Sequence, residues 1–277
     1  MIVQTPQLRR PRSHSDLGSR FSPSRDRQAV VRKFPFHVDH VISPAECATV
    51  VRKIDSLRDH WISRDGIGMF TLGAAAYLDA PDPKSMRAYG MKRATDEPYE
   101  ALVDRLNPIL LENFADLYMR VADQLAEEFQ VSVSYRDGLA LPGFHVFTES
   151  AFYAKQANHV PHFDRPFTTL NWGNDAGHLD FRRSLSFTLT LALPAAGGGL
   201  KTWDVSYDDV TSVSPGEAKK RITESKLTTL PYSIGGMICQ TGNELHQIAP
   251  WQASPGDRRI TLQGHGLFHE ESVFLYW

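Results

Sequence analysis

From Val131 onward the chain is a succession of short β-type runs: Val131–Tyr135, Leu139–Phe147, Ala151–His159, Ser184–Leu193, Leu200–Val205, Leu227–Pro231, Gly236–Gln240, Arg258–Phe268 and Val273–Trp277, separated by clusters of Gly, Pro, Asn and Asp. Many short strands with this punctuation predict a sandwich or jelly roll. The N-terminal half supplies helices. Ser43-Pro44-Ala45-Glu46 combines an N-cap, a proline at the first helical position and a capping-box glutamate, and the spacing of Cys47, Val50, Val51, Ile54, Leu57 and Trp61 carries that helix to about Trp61. A second helical pattern spans about Glu97–Gln130, with Pro108 expected to kink or split it. Residues 62–95, rich in Gly and Pro and without periodicity, read as a long loop, and residues 206–226 as a polar insertion in which Ser214-Pro215 could start a short helix.

Residues 1–33 differ from the rest, with arginines set among Ser and Pro and only Asp16 and Asp26 as acids. They read as a disordered basic tail, and the acids and prolines interrupt the amphipathic pattern of a transit peptide. The folded unit is expected over 34–277. Thirty Lys and Arg against 32 Asp and Glu leave a formal charge of -2, so no global field recruits nucleic acid or an anionic membrane. The only cysteines, Cys47 and Cys239, form no CxxC pair, which excludes a disulfide scaffold or a cysteine-rich zinc site and points to a reducing, cytoplasmic setting. No apolar run reaches the roughly 20 residues that span a bilayer.

There is no GxGxxG after a strand, no phosphate-binding GxxxxGK[ST], no GxSxG and no HExxH, which leaves the eleven histidines. A His and an Asp two apart on a strand share a face, and a further His from a neighbouring strand completes three facial ligands while the other metal positions stay open. Four His-x-Asp pairs occur: His14/Asp16, His37/Asp39, His162/Asp164 and His178/Asp180. The first falls in the tail and the second precedes the first helix. His162/Asp164 closes a strand candidate and is favoured over His178/Asp180. The third ligand is expected at His246, ahead of His265 and His269, which lie in or beyond the last long strand.

In the segment Arg258–His265 a strand puts Arg259, Thr261, Gln263 and His265 on one face. An arginine-led polar row inside a barrel is costly unless it meets an anion, and a guanidinium with a hydroxyl two residues on suits a carboxylate. A water-facing edge strand is the alternative. Asn158, Arg165 and Trp172 flank the metal motif and could line a substrate pocket; their ordinary roles would be turn capping, surface charge and core packing. Arg87 and Arg93 in the long loop could meet a carboxylate, His145 reads as a core histidine, and Cys239 as an inert core thiol.

The order Pro161-His162-Phe163-Asp164, Ser184–Pro194 with Gly197–Trp203, Glu244–Pro250 and Gly256–Gly264 resembles the Fe(II)- and 2-oxoglutarate-dependent dioxygenases, in particular the prolyl-hydroxylase-like branch and the small bacterial amino-acid oxygenases. The strand and Ser-Pro-Ala-Glu-Cys helix entry in Phe34–Ile54 resembles that branch too. The likeness runs over about residues 34–277, carried by the order of short motifs. It implies a double-stranded β-helix, a cupin-like jelly roll with N-terminal helices packed on it. It further implies Fe(II) held by His162, Asp164 and His246, 2-oxoglutarate as co-substrate with O2, and Arg259 with Thr261 on the distal carboxylate. Family members often have the basic residue closer to the distal histidine, so Arg258 stays a candidate beside Arg259. The carboxylate at Asp164, where related halogenases carry a small residue, implies hydroxylation. The expected activity is therefore hydroxylation of an unactivated C–H of a small molecule, such as a free amino acid or natural-product intermediate. A protein or peptide hydroxylase and a non-catalytic metal-binding jelly roll are the alternatives.

Overall fold

The computed structural model describes residues 17–20, 33–64, 68–80, 95–148, 160–252, 254–270 and 272–277. Helix α1 (Pro44–Ser56) starts on the expected capping box, with Glu46 N–H donating to Ser43 Oγ and Ser43 N–H to Glu46 Oε2. The second helix pattern forms one uninterrupted helix, Tyr99–Phe129, and Pro108 lies inside it without splitting it. In the expected long loop the described residues form β2 (Ile62–Ser63), β3 (Met69–Leu72) and the short helix α2 (Ala76–Asp79), making the long helix α3. Local periodicity missed them because each is shorter than the window needed to show a period.

The main sheet runs β1 (Phe36–Val38), β10 (Met237–Gln240), β6 (Leu179–Ala192), β13 (Arg259–His269), β5 (Gly143–Phe147), β3 and β2, all antiparallel, while β14 (Ser272–Tyr276) joins β13 to a parallel partner, β4 (Ser132–Tyr135). A second sheet orders β11 (Glu244–Ile248), β8 (Leu200–Ser206) and β9 (Leu227–Leu230), and a two-residue ribbon pairs β7 (Ala196–Gly197) with β12 (Trp251–Gln252). This is the mainly β jelly roll with helices on its outside. The polar insertion is two helices, α4 (Tyr207–Thr211) and α5 (Pro215–Glu224), each opened by a serine cap. Among the described residues no helix is long and apolar enough to cross a membrane.

Alternation along the central strands separates the two faces of the main sheet. Leu185, Phe187, Leu189 and Leu191 of β6, Ile260 and Leu262 of β13, and Phe144 and Val146 of β5 pack on Leu110, Phe114, Leu117, Tyr118, Val121 and Leu125 of α3. The residues between them are polar and turn inward: Ser186, Thr188 and Thr190 pair in register with His265, Gln263 and Thr261. The strand candidate Ala151–His159 lies outside the described residues, as do His14, Asp16, Asn158, Arg87 and Arg93. Part of the expected tail is ordered. Leu17 is fully buried in the main core, Gly18 bridges Ser134, and Ser19 exchanges hydrogen bonds with Val133, because a leucine and a free strand edge at β4 give these residues something to bury and to pair with.

Candidate metal centre and cavity

His162 and His246 sit opposite each other as a hydrogen-bonded antiparallel pair, His162 N–H donating to His246 O at 2.9 Å and His246 N–H to His162 O at 3.0 Å. Directly paired residues put their side chains on the same face, so the rings meet with centroids 4.5 Å apart. Asp164, two residues on, shares that face: its Oδ1 lies 3.6 Å from His162 Nε2 and its Oδ2 3.3 Å from His246 Nε2. The three ligand atoms fall within 4.8 Å of one another, the spacing that holds one metal ion. His246, read from sequence as preceding the last strand, is itself mid-strand in β11.

The surrounding backbone fixes which nitrogens face inward. His162 Nδ1 lies 2.9 Å from Val160 O and His246 Nδ1 3.0 Å from Glu244 O, so each imidazole donates Nδ1–H to a carbonyl and presents Nε2 as a lone pair. Gln240 Nε2 donates to Asp164 Oδ2 at 3.4 Å. The turn before β11 closes on the motif so tightly that a Cβ on Gly242 would lie 2.0 Å from Asp164 O, so only glycine fits. Burial, with His246 adding to it, lowers the His162 pKa to about 4. Burial opposes ionisation of Asp164, yet its pairing with His246 outweighs that and holds the carboxyl well below the usual range. Burial likewise pulls His246 down, and Asp164 overrides it and raises the pKa. The site is thus a carboxylate facing two imidazole edges, the donor set of a divalent metal with open positions.

The triad lines one wall of a cavity of about 150 Å³ between the two sheets, whose other polar walls are Tyr77, His145, Thr188, Gln240, Gln263 and His265. Beyond Gln263 on the same strand face lie Thr261 and Arg259, both fully buried. None of the three Arg259 guanidinium nitrogens has a hydrogen-bond partner among the described residues, and neither has Thr261 Oγ1 or Thr190 Oγ1 opposite it. Arg259 is instead boxed by the rings of Tyr232, Phe147 and Trp251, at 4.9, 5.3 and 5.7 Å from their centroids. Burial lowers its pKa, partly offset by the Tyr232 hydroxyl.

Other expectations fall elsewhere. Arg258 points to the opposite side, where it makes a two-point ion pair with Asp55 of α1; strand alternation forbids two consecutive side chains from sharing the cavity. Trp172, expected at the pocket, is a core residue: buried, its Nε1–H donates to Phe167 O and its ring packs edge-on against Tyr276. Arg165 braces the motif from behind, donating to Asn243 Oδ1 at 2.6 Å and stacking 4.0 Å over Tyr207. His178 and Asp180 flank the start of β6, where they lie against His269 and Phe268 of β13. His145, read as a core histidine, faces the cavity and bonds Tyr77. The Ser/Thr alternation of Ser184–Thr190 is a readable signal for the polar wall; Tyr77 and Tyr232, from a four-residue helix and a turn, leave none.

No protein-family model and no curated protein sequence matches the chain. Among solved structures it is similar to an N-substituted L-amino acid dioxygenase from Burkholderia ambifaria, at 13% identity over 86% of this chain and 84% of that one, with a TM-score of 0.44. It is similar also to the non-heme alpha-ketoglutarate-dependent epimerase SnoN from nogalamycin biosynthesis, at 16% identity, 85% and 77% coverage and a TM-score of 0.40. A third is a Pseudomonas putida prolyl-4-hydroxylase, at 13% identity, 85% and 91% coverage and a TM-score of 0.34. Similarity at this level leaves the assignment of function to the side chains themselves.

Proposed function

We propose that the protein is an Fe(II)- and 2-oxoglutarate-dependent oxygenase that hydroxylates a small molecule, such as a free amino acid or natural-product intermediate. The observation that carries this reading is the coexistence of a facial metal triad and, on the inward face of the main sheet, a fully buried arginine with no carboxylate partner among the described residues. A zinc hydrolase or a simple metal-binding module would use the triad but has no need of a sequestered cation, which costs several kcal/mol unless an anion meets it. A dicarboxylate co-substrate reconciles the two.

In this reading His162 Nε2, His246 Nε2 and a carboxylate oxygen of Asp164 hold the metal, and Gln240 holds the other carboxylate oxygen. Arg259 grips the distal carboxylate of 2-oxoglutarate, with the hydroxyls of Thr261 and Thr190 as further donors and Tyr232 closing over the guanidinium. When bound, Fe(II) with 2-oxoglutarate supplies O2 activation and removal of hydrogen from an unactivated C–H. The protein's contribution is to leave metal positions open, to fix the co-substrate at its far end and to keep water from the cavity.

Anaerobic titration of the metal-free protein with Fe(II) and 2-oxoglutarate tests this directly. The expected result is the weak visible charge-transfer band of chelated 2-oxoglutarate, absent in His162→Ala, followed by succinate formation when air is admitted. A folded wild type that gives no band would reject the oxygenase reading and leave a metal-binding module.

A further inference from the structure

The cavity has a second polar wall, away from the co-substrate end, which the proposed chemistry does not use. His265 of β13 lies opposite Ser186 of β6, and Ser186 Oγ is 2.9 Å from His265 Nδ1. The other ring nitrogen, Nε2, has no hydrogen-bond partner among the described residues although the ring lines the cavity. Across from it Tyr77 bonds His145 Nε2 through its hydroxyl. The Tyr77 ring stands edge-on to both imidazoles, at 6.1 Å from His145 and 6.3 Å from His265, with interplanar angles of 87° and 85°.

This arrangement is held from outside. Trp277 packs edge-on to His145 at 5.2 Å, and Tyr276 lies against His265 at 5.8 Å. Helix α2, which carries Tyr77, is tied down by an ion pair with both side chains only 1% exposed, Arg64 Nη1 and Nη2 donating to Asp79 Oδ1 and Oδ2 at 2.6 and 2.9 Å. The same Asp79 accepts from Ala75 N–H, and Arg64 Nε donates to Thr71 Oγ1. A buried ion pair contributes little net stability compared with apolar packing, so its benefit here is the fixed position of a short helix. The result is rigid polar edges facing an enclosed space, the preorganisation a binding site needs.

We propose that Tyr77 and His265, with His145 behind Tyr77, form a substrate-orienting subsite that takes a hydroxyl group of the substrate. This deepens the oxygenase reading and rests on it for the identity of the molecule bound. A phenol that donates to His145 Nε2 presents its oxygen as an acceptor, and His265 Nε2 is a donor or an acceptor according to its tautomer. A hydroxyl, which both donates and accepts, satisfies either arrangement; a carbonyl satisfies only the donor form. No Lys or Arg is among the cavity-lining residues, so a carboxylate on the ligand would be desolvated at this wall without a Lys or Arg to meet it, and the one lining carboxylate, Asp164, belongs to the metal triad.

The test uses four six-carbon ring probes that differ in one group: cyclohexanol, cyclohexanone, cyclohexanecarboxylate and cyclohexylamine. Their binding to the full-length protein loaded with redox-inert Zn(II) and 2-oxoglutarate is measured by calorimetry. Cyclohexanol is expected to bind most tightly, and its Kd to rise about tenfold in Tyr77→Phe and in His265→Phe, the equivalent of one hydrogen bond each, with recovery to within about threefold in His265→Gln. The melting temperature and the Fe(II)/2-oxoglutarate band of each variant, both expected to match wild type, separate loss of the subsite from loss of the fold. Tighter binding of either charged probe, no binding of cyclohexanol, or wild-type affinity in both phenylalanine variants would overturn the proposal. Cyclohexanol binding in a protein that gives no 2-oxoglutarate band would sustain the subsite while removing the oxygenase reading.

Discussion

Replacing Arg259 with Met should move stability and co-substrate affinity in opposite directions. The side chain is 0% exposed, and its guanidinium has no hydrogen-bond acceptor among the described residues. In the ligand-free protein the cation therefore bears a desolvation cost of several kcal/mol, offset by about 0.5 to 2 kcal/mol from its place among the rings of Tyr232, Phe147 and Trp251. Methionine keeps the apolar stem and removes the charge, so the metal-free variant should unfold within about 1 kcal/mol of wild type or later. With 2-oxoglutarate the balance reverses. Two hydrogen bonds between charged groups contribute about 3 to 6 kcal/mol together, so the Kd for 2-oxoglutarate should rise by a hundredfold or more at about 1.4 kcal/mol per tenfold. Arg259→Lys, which keeps the charge but loses the planar fork, should fall between. Scanning calorimetry of the metal-free proteins gives the first quantity and anaerobic titration of the visible band the second. An Arg259→Met variant that loses several kcal/mol when ligand-free, or that binds 2-oxoglutarate as wild type does, would refute the argument that this arginine is kept for an anion.

Asp79→Asn should destabilise the protein by about 3 to 5 kcal/mol, because it strands Arg64 as an unpaired buried cation, and denaturant unfolding at constant m-value checks this. Asp55 is held below the ordinary carboxylate pKa chiefly by its hydrogen bond from Arg258, so its stabilising contribution is present above the unfolded value near 3.8 and is lost as pH falls through the lower folded value. Because the pair is partly exposed, Asp55→Asn should cost no more than about 1 kcal/mol at pH 7, with the difference from wild type vanishing in acid. Two neighbours on β6 should separate stability from binding: Leu189→Ala loses about 2 to 5 kcal/mol of packing and leaves 2-oxoglutarate affinity alone, whereas Thr190→Val, which removes a hydroxyl without a partner among the described residues, leaves stability near wild type and weakens the co-substrate severalfold.

The candidate metal triad was legible because its chemistry is local. His162 and Asp164 are two apart, and His162 pairs directly with His246 of β11. Which of Arg258 and Arg259 turns inward was legible too, since alternation sends one to the buried polar face and the other to Asp55. What the sequence hid is set by tertiary contact. Trp172 adjoins the motif in sequence, yet its indole N–H finds a carbonyl at Phe167 and draws the ring into the core. Tyr77 comes from a four-residue helix held by an ion pair to Arg64, thirteen positions before it, and nothing in a Gly- and Pro-rich stretch announces that pairing. His145 reads correctly as a buried strand histidine, but burial alone does not say which face of the sheet it serves.

That face is where the fold and the proposed function meet. In Ser184–Leu191 every second residue is Leu or Phe and packs against α3, so one face of the strand supplies stability by burying apolar area. Among the intervening side chains, Ser184 and Thr190, with Thr261 and Arg259 nearby on β13, are buried without hydrogen-bond partners among the described residues, which an apolar interior would avoid at no loss to the fold. Because the two faces belong to the same strands, the helix-packed side fixes backbone positions tightly enough to hold unsatisfied donors in place on the other. Unsatisfied donors at fixed positions are the costly feature of the empty protein and the useful feature of the loaded one, since a carboxylate arriving among them has no reorganisation to drive. In the proposed reading the unpartnered polar atoms at Arg259, Thr261 and Thr190, beyond Gln263 on the strand face that reaches the cavity, would meet the anion, and the triad at His162, Asp164 and His246 would hold the metal.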